Sequence, residues 1–147
     1  MKIVAKIALH LVALLLAGAG CVARAQSKPA LVRILREQGF SGALTGDIHF
    51  TPLGALYCAK SSFQVIHFEW YGPANPGSHR AQYRIIFLEN GNRYVGSLIV
   101  EGDTPVSVKH NSVRFGYDQT SGNTMTCADI GSTKKVLLDG DWESIFK

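Results

Sequence analysis

The chain has no Gly-x-Ser-x-Gly elbow, no Cys-x-x-Cys or His-x-x-x-His pair, no glycine loop ending in Lys-Ser/Thr and no dinucleotide-binding glycine pattern. These are the sequence signals of elbow hydrolases, of zinc sites built from close ligand pairs, of phosphate loops and of nucleotide cofactors. No cofactor and no metal are therefore expected. Ser132-Thr133-Lys134-Lys135 matches Ser-x-x-Lys by letter only, because it sits in a turn-like stretch without the helix and companion motifs of acyl-transfer enzymes. Blocks of basic residues are missing too: Lys134-Lys135 is a pair, not a run. Internal repeats, low-complexity stretches and linkers are absent, so a single domain with one core is expected.

What stands at the N-terminus is a targeting pattern. Lys2 and Lys6 precede an apolar run over residues 7–20, followed by Cys21-Val22-Ala23-Arg24-Ala25 with small residues at 23 and 25. That order of charged, apolar and small residues predicts a secretory signal over residues 1–25, cleaved after Ala25. The apolar run is shorter than the roughly 20 residues a spanning helix needs. Leu16-Ala17-Gly18-Ala19-Gly20-Cys21 also resembles the lipobox of bacterial lipoproteins, with Gly18 departing from the apolar residue that motif prefers. The resemblance implies a second outcome, in which Cys21 is acylated and tethers the same domain to a membrane.

Of the 15 Lys and Arg, three (Lys2, Lys6 and Arg24) lie in that segment, and none of the 11 Asp and Glu does, so the exported domain of residues 26–147 carries 12 against 11 and a net charge of +1. The basic character belongs to the targeting segment and gives no reason to expect nucleic-acid binding. Export also decides the cysteines. Cys58 and Cys127 remain as an even pair in a chain bound for an oxidising compartment, and a disulfide between them is expected. A periplasmic or secreted location follows from the same two observations.

Residues 27–40 carry the helix signals. Ser27 or Lys28 caps it, Pro29 sits in the first turn, Gly39 terminates it, and Leu31, Ile34 and Leu35 fall on one side. From Gly46 onward short runs of Val, Ile, Phe and Tyr alternate with Gly, Asn, Asp and Pro, the pattern of an antiparallel β domain. The clearest element is a hairpin in which 81–88 and 93–100 flank Glu89-Asn90-Gly91-Asn92, since Asn-Gly supplies the positive φ angles a tight turn requires. Further strands are expected at 47–50, 55–59, 63–71, 106–109, 112–117, 125–130 and 135–138, with the aromatic-rich end 139–147 as a last strand. The fold class is mainly β (α+β): an antiparallel sheet, sandwich or partly closed barrel with one N-terminal helix.

Candidate chemistry concentrates in the strand around His67. Alternation puts Ile66, Phe68 and Trp70 on one face and Phe63, Val65, His67, Glu69 and Tyr71 on the other. His67 beside Glu69 makes a proton-transfer pair for a small hydrolase, or an ordinary solvent-facing pair with cross-strand partners. Asp47 and His49 repeat the alternation and could join them around a metal only if the strands pair in register. Residues 71–80 form the longest stretch with turn chemistry, either a binding loop or a mobile hairpin tip, and Tyr71, His79 and Arg80 are its candidate binding residues. Trp70, Tyr71, Tyr83, Phe87, Tyr94, Phe115 and Tyr117 are dense for so small a domain, and those sharing an exposed face would form a stacking surface for sugars or a protein. The functional expectation is a non-enzymatic module that recognises an envelope protein or glycan, with a His67/Glu69 hydrolase and a Cys21-acylated structural lipoprotein as the alternatives.

Overall fold

A computed structural model of the chain describes residues 26–75, 78–102, 104–116, 123–130, 135–138 and 141–144. Residues 1–25, where the targeting signal and Cys21 are expected, and Tyr117 lie outside the described residues. Helix α1 (Lys28–Glu37) is followed by a four-stranded antiparallel meander of β1 (Asp47–Tyr57), β2 (Ser62–Asn75), β3 (Ser78–Glu89) and β4 (Arg93–Val100). A second sheet holds β5 (Val106–Lys109), β6 (Ser112–Phe115) and β7 (Thr124–Thr126), and a two-stranded ribbon pairs β8 (Lys135–Leu138) with β9 (Asp141–Ser144). The central sheet stays open, with β1 and β4 as its edges, so no barrel forms.

The two faces of the central sheet bury different partners. On one, Leu31, Ile34 and Leu35 of α1, together with Phe40, pack on Ile48, Ile66, Phe68, Ile86 and Leu88. Those three leucine and isoleucine positions recur at helical spacing, and Gly39, with φ of 79°, turns the chain out of the helix where a side chain would be strained. On the opposite face Leu56, Phe63, Val65, Ile85, Phe87, Leu98 and Val100 meet Val113, Phe115 and Met125 of the second sheet and Val136 of β8. Each fully buried side chain contributes about 1.5–3 kcal/mol of transfer free energy.

One charge is buried with the helix-side core. Arg84 lies over the Phe40 ring at 5.2 Å, and its Nη1 donates to Ser41 Oγ at 3.2 Å and Ser97 Oγ at 3.4 Å. Burial pushes its pKa below the ordinary arginine value, against a smaller opposing effect of Tyr94.

Several sequence expectations change in detail. Strands 47–50 and 55–59 are one strand, β1, whose register shifts between Pro52 and Gly54. Gly54 has φ of 146°, and a Cβ there would stand 3.0 Å from Val108 Cβ, so the bulge lets β5 approach the edge of the central sheet. The expected strand 125–130 is the short β7 followed by a 3-10 turn, Cys127–Asp129, because Asp129 Oδ2 accepts from Thr126 N at 2.8 Å and bends the chain. The turn-rich stretch 71–80 is mostly strand: β2 runs to Asn75 and β3 begins at Ser78, with Gly72 opposite Arg80 and Pro73 opposite His79. Residues 72–75 and 78–80 are thus the paired ends of a hairpin and not an irregular loop. Pro73 is tolerated by the ladder next to a register irregularity between Pro73 and Asn75.

Cys58, just past β1, is bonded to Cys127, just past β7, with Cα atoms 5.6 Å apart. The bond fastens the second sheet to the central one. Asn111 adds a clip at the same place: its Oδ1 accepts from Tyr57 N at 2.6 Å and its Nδ2 donates to Tyr57 O at 2.8 Å. Among the described residues no helix is long and apolar enough to cross a membrane.

Candidate functional site

The second sheet covers only part of the central sheet's face. Beyond that cover the same face turns polar, and the register determines which side chains meet there. Glu69 sits opposite His49 of β1 and Tyr83 of β3, while His67 and Tyr71 flank it two positions away along β2. Asp47 lies opposite Tyr71. Because side chains alternate along a strand, these residues share a face, and Ile66, Phe68 and Trp70 point to the helix side.

Contacts join the group into a row. His67 Nδ1 is 3.3 Å from Glu69 Oε1, and Tyr71 donates its hydroxyl to Glu69 Oε2 at 3.2 Å. His49 Nε2 is 2.9 Å from Asp47 Oδ1. Tyr83 stacks on His67 with centroids 6.2 Å apart and meets Tyr71 edge to face at 6.1 Å; His49 meets Tyr71 edge to face at the same separation. Exposure rises outward: the side chains of His67 and Glu69 are 21% and 28% exposed, those of His49 and Asp47 55% and 65%. The inner pair is held at the rim of the core, and the outer pair stands in water.

The Tyr71 pKa is pushed up to about 12, first by the neighbouring Tyr83 hydroxyl, then by burial and by the charge and hydrogen bond of Glu69. Tyr71 is therefore a neutral phenol and a hydrogen-bond donor at any physiological pH, not a base. A group with a raised folded pKa and an unfolded value of 10.0 contributes its stabilisation fully below pH 10, and the contribution disappears as pH rises towards 12. In a tyrosinate absorbance titration one tyrosine is expected to ionise near 12, and Tyr83→Phe should move that midpoint back towards 10. A tyrosine still ionising near 12 in the variant would show that the two phenols do not interact.

Of the residues singled out from sequence, His67, Glu69 and Tyr71 come together. His79 and Arg80 fall in β3, further along the β2–β3 hairpin than the Tyr71–Ala81 pair. Asp47, His49, His67 and Glu69 do share one face, but each histidine pairs with the carboxylate of its own strand, and His67 faces Thr51 across the strands. No group of three or more His, Cys, Asp or Glu is placed to hold a metal among the described residues. His110, with φ of 48°, is an exposed corner of the β5–β6 turn.

The aromatic surface is narrower than composition suggests. Phe87 and Phe115 are buried, Trp70 donates Nε1 to Thr45 O at 2.7 Å on the helix side, and Tyr94 packs there against Phe40. Only Tyr71 and Tyr83 of the seven reach this face among the described residues. The inclusion of Tyr83 in the His67/Glu69 cluster was not legible beforehand, because it depends on where the β2–β3 chain reversal falls.

Chemically, the row offers carboxylate acceptors, a phenolic donor, imidazoles and two tyrosine rings. It contains a His–Glu dyad, and no side-chain hydroxyl is hydrogen-bonded to His67 among the described residues. No family model, no curated protein and no solved structure matches the chain.

Proposed function

We propose that the protein is a non-enzymatic binding module of the periplasm or extracellular space that recognises a glycan through the Tyr71/Tyr83 face. The observation that carries this reading is the edge-to-face tyrosine pair, 6.1 Å between centroids, set directly beside Glu69 and His67 on the open part of the sheet. A sugar ring presents an apolar face to an aromatic side chain and hydroxyl donors to carboxylates, and this arrangement supplies both. Export is supported by the Lys2/Lys6, apolar and Ala23/Ala25 order and by the Cys58–Cys127 bond. A protein partner is the next reading in the same class, and the Cys21 lipoprotein differs from it only in adding a membrane tether.

On an array of neutral and acidic oligosaccharides, the domain should retain a defined subset. Tyr71→Ala with Tyr83→Ala should weaken that binding about tenfold or more, given about 0.5–1.5 kcal/mol per aromatic contact. An array without any retained oligosaccharide would sink the glycan reading.

The rival hydrolase reading rests on the 3.3 Å contact of His67 Nδ1 with Glu69 Oε1, which leaves Nε2 to take a proton from water. It requires oligosaccharide or ester cleavage that His67→Ala and Glu69→Gln each reduce at least about a hundredfold.

A further inference from the structure

The other face of the central sheet carries a cavity of about 640 Å³ between the start of α1 and β1. Its apolar wall includes Leu31, Ile48, Phe50, Pro52, Ala55 and Ile66. The helix covers Ile48 and Ile66 but leaves Phe50 and Ala55 half-buried and Pro52 exposed. Lys28 lies in the lining with the neutral amides of Gln26 and Gln64 and with His49, no Asp or Glu does among the described residues, and Tyr57, 71% exposed, stands at the rim. We propose that this cavity binds the hydrocarbon chain of a single-chain anionic amphiphile of the fatty-acid type, with its head group at Lys28.

Size, polarity and charge converge on that class. The volume falls in the range of small-molecule sites, roughly 300–1,000 Å³, whose walls are mostly apolar with a few polar anchors. A cation at the mouth without a competing carboxylate selects a negative head group. An added peptide strand suits the place poorly: the register shift between Pro52 and Gly54 breaks the edge of β1, and Asn111 occupies the backbone N–H and C=O of Tyr57. The lining includes His49, which meets Tyr71 edge to face, but neither Tyr71 nor Tyr83 itself, so the two readings rest on different side chains.

The test is calorimetric titration of the full chain with dodecanoate below its micelle concentration. Saturable 1:1 binding is expected, with decanoate about tenfold weaker, from the loss of two methylenes, and dodecyltrimethylammonium about fivefold weaker, from the lost charge pairing. Ala55→Trp, which fills the cavity, should abolish binding. Lys28→Glu, an exposed change that leaves folding intact, should remove the preference for dodecanoate over the cationic detergent. Tyr71→Ala with Tyr83→Ala should bind dodecanoate as the unaltered chain does. The proposal is overturned by absence of saturation, by equal affinity for the cationic detergent, or by undiminished binding in a folded Ala55→Trp variant. Retention on phosphatidylglycerol vesicles without binding of monomeric dodecanoate would also overturn it, pointing to a membrane surface instead.

Discussion

Replacing Cys58 and Cys127 together by serine is expected to lower the thermal unfolding midpoint by about 15 °C. The crosslink closes a loop with a sequence separation of 69. In the chain-entropy account a loop of that length removes roughly 4 kcal/mol of freedom from the unfolded chain, and for a domain of this size each kcal/mol shifts the midpoint by about 4 °C. The position of the bond strengthens the expectation. It ties the end of β1 to the turn after β7, where the apolar contacts around Phe87 and Phe115, the approach of Val108 to Gly54 and the Asn111 clip also hold the second sheet to the central one. Circular dichroism melts of the variant, and of the unaltered chain fully reduced, should show the same lowered midpoint. Midpoints within about 3 °C of the oxidised chain would mean that the bond constrains little.

Phe68→Ala is expected to cost about 3–5 kcal/mol. Phe68 is fully buried at the centre of the helix-side core, with its ring edge-on to Phe40 at 5.2 Å and tilted against Phe50 at 5.5 Å. Truncation opens a cavity between α1 and the sheet that the β-strand backbone beneath cannot close. Ile99→Ala is the control: at 56% exposure it should change stability by no more than about 0.5 kcal/mol. Urea unfolding of both variants checks the contrast, and a loss under about 1 kcal/mol for Phe68→Ala would contradict the packing of α1 on this face.

Residues whose conformation is dictated by their immediate neighbours were readable from sequence. Pro29 and Gly39 bracket α1, and Asn90 and Gly91, with φ of 47° and 76°, make the β3–β4 turn that their dipeptide demands. The extents of β5 and β8 match their apolar runs. Misread elements were those in which a remote contact outweighed local preference. Residues 71–80 are rich in Gly, Pro and Asn and read as a loop, yet two strands held along their whole length by a ladder carry that composition outward to Asn75 and Ser78. The bulge near Gly54 was invisible because its reason is Val108, more than fifty positions away.

The same division applies to the candidate site. That His67, Glu69 and Tyr71 share a face follows from the two-residue period of a strand, a property of the covalent chain. The pairing of Cys58 with Cys127 followed from there being no other partner once the signal segment was set aside. Which strand lies beside which, that Tyr83 joins Glu69, that His49 pairs with Asp47 instead of converging with His67, and where a cavity remains beneath α1 were decided only by the tertiary structure. Register between strands is set by the sum of many weak side-chain contacts across the core, and no single stretch of sequence carries that sum.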